Sequence, residues 1–296
     1  MKILIINYTR IGDSILSTAL INHLLDEYPI SQVSIVTSSL SKDLFTRMPR
    51  LENLIVIDKR KYSLHWFDIW KLVINQKWDL TIDLRSSYLS YIIRTKKYKI
   101  FKGNDKTHKI NQFIKFLNTD KKISPSLWFD SVDEEESNEK IIHQEGPFIA
   151  IAPYSNSRNK DWSMDKYLEL FRNNYFKNYT LILTGISEDI PNKEKFENLI
   201  NDSSLKFINL FDWGNLRNMI PIFKKCDFFI GSDSGLMHLA ASTKCKTFGL
   251  FGPTNEVVYG PWGDHKVIKS LNDPTEDDPL NLSVEEVLNA IKEEIQ

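Results

Sequence analysis

Residues 227–263 read DFFIGSDSGLMHLAASTKCKTFGLFGPTNEVVYGPWG, and this stretch decides the fold. Phe228-Phe229-Ile230 is a short continuous apolar run, as a buried parallel strand requires. The polar turn Gly231-Ser232-Asp233-Ser234-Gly235 follows. A helix then opens with Leu236, Met237, Leu239 and Ala240 as its apolar members. Thr247 to Phe251 supplies a second buried strand and completes a βαβ unit. The turn therefore lies at the carboxyl edge of a parallel sheet, where open α/β sheets bind ligands. Small residues leave backbone N–H groups free there, and the helix start adds partial positive charge, a combination suited to phosphate. His238 lies one helical turn beyond Ser234 and can add a donor. Taken singly, Asp233 or Ser234 could equally be a helix cap, and Gly235 a turn residue.

Outward from this unit the pattern repeats in both directions. Ile3–Ile6 is a buried strand. The turn NYTRIGDS and a helix carrying Ile15, Leu16, Ala19, Leu20, His23 and Leu24 follow it. The turn has one glycine, so the G-x-G-x-x-G of a dinucleotide fold is absent. Asp13, at the mouth of that helix, reads on its own as an N-cap. Further strands are expected at 33–36, 54–57, 80–84, 148–152, 180–184 and 207–210. Their alternation with helical stretches predicts an α/β fold of two doubly wound, Rossmann-like domains. The polar, apolar-poor stretch from Asp133 to Pro147 is the best boundary, giving domains 1–145 and 146–296.

The balance of residues bounds the function. The 296 residues suit two domains, with 42% hydrophobic and 26% charged residues as in ordinary globular chains. A formal charge of -1 gives no global field for nucleic acid. No apolar run approaches the ~20 residues of a membrane span. The first residues read as a strand and not as a signal peptide. Cys226 and Cys245 have no metal-ligand spacing, and reduced buried thiols in a cytoplasmic protein are expected.

The combination D-S-G-x-x-H-x-A-A, then F-G-P-T and Y-G-P-W-G, resembles the heptosyltransferase family of bacterial lipopolysaccharide synthesis. These are nucleotide-sugar glycosyltransferases of family 9 with the GT-B fold. The similarity spans nearly the whole chain. It is strongest at 227–263, good at 3–29 and 148–162, and weak at 86–145. It implies two domains facing a cleft, the first for the acceptor and the second for the nucleotide-sugar. The final helix, 283–295, opened by the capping box of Ser283 and Glu286, would return to brace the first domain.

The resemblance also assigns roles. Gly12-Asp13 matches a pair whose aspartate is the proposed general base. Ser155, Lys160 and Trp162 match a loop whose lysine neutralises the leaving pyrophosphate; the residue after that lysine, often basic in the family, is Asp161 here. Glu188 matches a ribose-binding glutamate. Asp233, Ser234, Gly235 and His238 would hold the donor with Ser155, Lys160 and Glu188. Arg85 and Ser86 stand where the family has glutamine-glycine, on the acceptor side, so acceptor identity is open. The run 94–109 is either a solvated surface or a patch for an anionic acceptor or membrane surface, with Lys96 and Lys97 its acceptor candidates. The implied reaction inverts the anomeric centre, moving heptose from ADP-L-glycero-β-D-manno-heptose to the lipopolysaccharide inner core. No metal or other cofactor is expected. The implied partners are a lipid-linked anionic saccharide and the cytoplasmic face of the inner membrane, with no nucleic acid. The alternatives are a relative using another activated sugar for outer core, O-chain or capsule, and a catalytically silent nucleotide-sugar binder.

Overall fold

The computed structural model describes residues 1–58, 60–144, 146–270, 275 and 279–295. They form two compact units, Met1–Asp130 and Ser131–Gln296. The first is built on a five-stranded sheet of β1 (Lys2–Ile6), β2 (Gln32–Thr37), β3 (Leu51–Val56), β4 (Trp78–Asp83) and β5 (Thr95–Ile100). Their order is β3-β2-β1-β4-β5 and every pair is parallel. Ile3 to Ile6 are fully buried because helices cover both faces. The chain order reverses between β1 and β4, which makes their carboxyl ends the switch point of the sheet.

The second unit carries six parallel strands, β6 (Phe148–Ala152), β7 (Thr180–Gly185), β8 (Lys206–Phe211), β9 (Phe228–Ser232), β10 (Lys246–Phe251) and β11 (Lys266–Lys269). The order β11-β10-β9-β6-β7-β8 puts its switch point between β6 and β9. Ile151 pairs with Ile230 and Ala152 with Gly231. A Cβ on Gly231 would lie 3.0 Å from the Ala152 carbonyl oxygen, so glycine lets these two strand ends close up. Cys226 and Cys245 are free, buried thiols, and burial pushes Cys245 up to about 12.

Two expectations change. The boundary lies at 130/131, fifteen residues before the expected one; Glu145 itself lies outside the described residues. The acidic stretch is a helix, Ser131–Ile141, held on helix Met219–Lys225 largely by polar bonds. Ser137 Oγ donates to the Asn218 carbonyl at 2.7 Å, Asn218 Nδ2 to Glu136 at 2.7 Å, and buried Asp133 lies 3.5 Å from Arg217. Hydrophobic periodicity cannot register such docking. The final helix, Val284–Glu294, packs on its own unit, with Val287 and Ile291 buried in the second unit's core. Its approach is fixed by Trp162 Nε1 and Lys166 Nζ, which donate to the Leu282 carbonyl at 2.9 and 2.7 Å. Its capping box is formed as expected. Lastly, Thr95–Ile100, read as a basic surface run, is the edge strand β5, whose lysines guard an open sheet edge.

Candidate functional site

On the second unit, β9 ends in Ser232 and helix Gly235–Ser242 begins three residues later. Ser234 is its N-cap, accepting from the Met237 amide at 3.4 Å. The amides of Gly235 and Leu236 have no acceptor among the described residues, as the first turn of a helix dictates. Asp233 reaches back across the switch point. Its Oδ2 accepts from Lys160 Nζ at 2.9 Å, and its Oδ1 lies 3.7 Å from Nε2 of buried His238. One carboxylate thus sets an ammonium and an imidazole beside the free amides of a helix start. Such a group of donors matches a diphosphate.

Ser155 follows β6 but is occupied by its own loop. Its amide and hydroxyl both donate to Asp161 Oδ1 at 2.9 Å, and the hydroxyl also lies 3.0 Å from the Ser157 carbonyl. Asp161 Oδ2 is buried without a partner, and burial pushes this carboxyl up to about 6 against those two bonds. Asp161 thereby fixes the loop that delivers Lys160. Glu188 is exposed in the turn after β7, at the same carboxyl edge. That turn is tied down by the Ser187 amide, which donates to Asp212 Oδ1 at 2.8 Å; the Ser187 side chain first, and then this amide, lower the pKa of Asp212.

On the first unit, Asp13 is not the cap. Arg10 is the N-cap of helix Ile11–Glu27 and makes no side-chain cap bond, and Asp13 is the third helical residue. Its Oδ1 is buried, without a hydrogen bond, and 3.6 Å from Lys109 Nζ. The Asp13 side chain is 17% exposed and lines an open cavity of about 400 Å³ at the β1/β4 switch point. Lys109 is itself buried, its ammonium 4.7 Å from the Tyr8 ring centroid and 5.4 Å from that of Phe101. Arg10 and Arg85 complete three cations against one carboxylate in the cavity lining.

Arg85 and Ser86 are set by a buried carboxylate. Asp83 accepts from the amides of Arg85 and Ser87 at 2.8 Å each, from Ser87 Oγ at 2.5 Å and from Ser90 Oγ at 3.2 Å. The turn puts Ser86 at φ 51° and its hydroxyl on the Phe101 carbonyl at 2.6 Å. The Arg85 guanidinium lies 4.3 Å from the Trp66 ring centroid, and burial lowers its pKa. Lys96 and Lys97 are not brought to this cavity: they lie near the amino end of β5, where Lys96 pairs with Asp79 at 2.7 Å. The sequence reading missed Arg10 and Lys109 as site residues. Arg10 lay in plain view in the turn before Asp13. Lys109 was hidden in a run of similar lysines, and only the rings of Tyr8 and Phe101 distinguish it.

The sequence pattern of glycosyltransferase family 9 (heptosyltransferase) matches residues 105–281. The chain belongs to this family. It is therefore a glycosyltransferase, and its two parallel α/β units are those of the GT-B fold. Lipooligosaccharide heptosyltransferase 2 of Haemophilus influenzae is 22% identical over 92% of this chain and 89% of its own. In three dimensions a family 9 glycosyl transferase from Veillonella parvula superposes with a TM-score of 0.83 at 20% identity, covering 99% of this chain and 96% of the other. The E. coli ADP-heptose lps heptosyltransferase II gives 0.78 at 17% identity, covering 99% and 98%. Among the described residues no helix is long and apolar enough to cross a membrane.

Proposed function

We propose that this glycosyltransferase moves heptose from an ADP-activated donor to the core saccharide of lipopolysaccharide, inverting the anomeric centre. The observation that carries this reading is Asp13, partly exposed, with one oxygen held near Lys109 in the lining of a cavity that also carries Arg10 and Arg85. A carboxylate so placed can take a proton from a hydroxyl, and the surrounding cations suit an anionic saccharide. The names of the relatives supply the sugar and the acceptor class.

In this reading an acceptor hydroxyl attacks the anomeric carbon from the face opposite ADP. Its proton passes to Asp13 Oδ2 while Lys109 steadies the other oxygen. The bond from the anomeric carbon to the β-phosphate oxygen breaks, and its electron pair leaves with ADP. Lys160, His238 and the amides of Gly235 and Leu236 stabilise that growing charge. Asp233 positions the two side chains, Glu188 accepts from the ribose hydroxyls, and no step calls on a metal. Ser155 serves the donor indirectly, through Asp161 and the Lys160 loop.

The deciding experiment offers ADP-heptose, UDP-sugars and GDP-sugars to the purified protein with lipopolysaccharide truncated before its first heptose. ADP release coupled to a heptose-sized mass gain on the acceptor is expected, unchanged by EDTA. Transfer of another sugar would support the second reading, an outer-core, O-chain or capsule enzyme, which Arg85-Ser86 in place of glutamine-glycine favours. Activity that vanishes with EDTA and returns with a divalent cation would remove the metal-free step. Nucleotide-sugar binding without release from any donor would mark a silent relative.

A further inference from the structure

We propose that His65, with Trp66, is a positioning residue for Arg85, and that its protonation releases Arg85 from the wall of the cavity beside Asp13. The guanidinium of Arg85 meets the first two residues of helix His65–Val73. Its carbon lies 4.3 Å from the Trp66 ring centroid, and Nη2 lies 3.5 Å from His65 Nε2. The two rings are themselves neighbours, with centroids 5.0 Å apart. Asp83 fixes the backbone end of the same residue by accepting from the Arg85 amide at 2.8 Å. Arg85 is thereby held at both ends while it lines the cavity. A loose arginine gives up rotamer freedom when it binds an anion, and one stacked and anchored beforehand has less to lose.

This hold depends on the state of the imidazole. A guanidinium has only donors, so His65 accepts at Nε2. Nδ1 meets a second donor, the Arg60 amide, at 3.4 Å. A neutral ring offers one lone pair between these two donors. A protonated ring offers none, and it sets a cation 3.5 Å from the guanidinium nitrogen. His65 is only 5% exposed and stands at the first position of its helix, where the helix dipole adds further positive potential. The carboxylates of the elements packed here have donors of their own. Asp68, one turn along the helix, accepts from Arg60 Nη1 at 2.7 Å, and Asp83 accepts from the amides of Arg85 and Ser87. A histidine changes charge between pH 5 and 8. On protonation the guanidinium leaves both Nε2 and the Trp66 ring, and the cavity wall loses a preset cation.

The meeting of Arg85 with the acceptor rests on the function proposed above, whereas its hold by His65 does not, so the test has two readouts that fail separately. The first needs no substrate. It is the NMR resonance of the Arg85 Cδ–Hδ groups in the full chain, identified by its loss in Arg85→Gln. At pH 8 the ring current of Trp66 should shift it upfield, and between pH 8 and pH 5 it should relax to the position of a free arginine. His65→Gln keeps an acceptor and cannot be protonated, so its Arg85 resonance should stay shifted throughout. The second readout is the acceptor KM. It should rise about tenfold from pH 8 to pH 5, the worth of one hydrogen bond to a charged group, and stay level in His65→Gln. The donor KM should hold in both. Melting curves check that each variant folds, and the pH step in the parent decides without any variant. A parent Arg85 resonance that ignores pH overturns the proposal, as does the same step in a folded His65→Gln. A resonance step with a flat acceptor KM would equally overturn it, by showing that Arg85 does not meet the acceptor.

Discussion

At the scale of single residues, the two carboxylates Asp13 and Asp161 make opposite predictions. Asp13 makes no cap bond, so Asp13→Asn removes proton acceptance while sparing the helix start. Turnover should fall by about 10²- to 10⁴-fold, the usual worth of a general base, with the melting temperature little changed. Near-parent turnover in a stable variant would end the assignment. Lys109→Met should also lower kcat, by freeing the Asp13 side chain, while the donor KM, set on the other unit, holds. Asp161 is the reverse case. Burial pushes its carboxyl up to about 6, so the folded protein binds that proton more tightly than the unfolded chain. Its favourable contribution is complete below the unfolded value, about 4, and is lost as pH rises through about 6. Asp161→Asn should therefore raise the melting temperature at pH 8 and leave it near parent at pH 4. A gain of the same size at both pH values would show that ionisation is not the cause.

At the scale of elements, the turn after β4 depends on Asp83, which no motif marked. Its buried oxygens take four donors, and Asp83→Ala would leave two backbone amides and two hydroxyls without it. A loss of about 3 kcal/mol is expected in denaturant melts, since unmade buried hydrogen bonds cost about 1–3 kcal/mol each and water will relieve some. A loss below about 1 kcal/mol would mean the turn holds itself. The buried strands were legible because each is a continuous apolar run on a doubly covered sheet. Ile3–Ile6 and Phe228–Ile230 leave little choice of environment. The edge strand β5 was not legible, because at an edge charge replaces alternation, and TKKYKI reads as surface. The same limit applies to the site. Asp233, Ser234, Gly235, His238 and Lys160 sit in local motifs and come together as those motifs imply. The contact between Lys109 and Asp13 spans ninety-six residues and follows from packing alone.

At the scale of the whole chain, the helix Ser131–Ile141 decides where the second unit begins. A cut at the polar stretch, giving 146–296, discards this helix, whereas a cut at the observed boundary, giving 131–296, keeps it. The discarded helix supplies Asp133, the partner of Arg217, whose side chain is only 11% exposed. It also supplies Glu136 to buried Asn218 and Ser137 to the Asn218 carbonyl. Breaking a buried ion pair by removing one partner typically costs about 3–5 kcal/mol, though water reaching the uncovered Arg217 offsets part of it. The fragment 131–296 should therefore melt cooperatively at a clearly higher temperature than 146–296. Both fragments keep Lys160, Asp233, Gly235 and His238, so donor binding should follow folding. Saturating ADP should raise the melting temperature of 131–296, because a ligand at one hundred times its Kd adds about 2.7 kcal/mol. The measurement is a pair of calorimetric melts with and without ADP. Equal melting temperatures for the two fragments would show that the acidic helix is an appendage and return the boundary to the polar stretch. A cooperative 131–296 that ADP leaves unmoved would instead count against the Asp233 cluster as the nucleotide site.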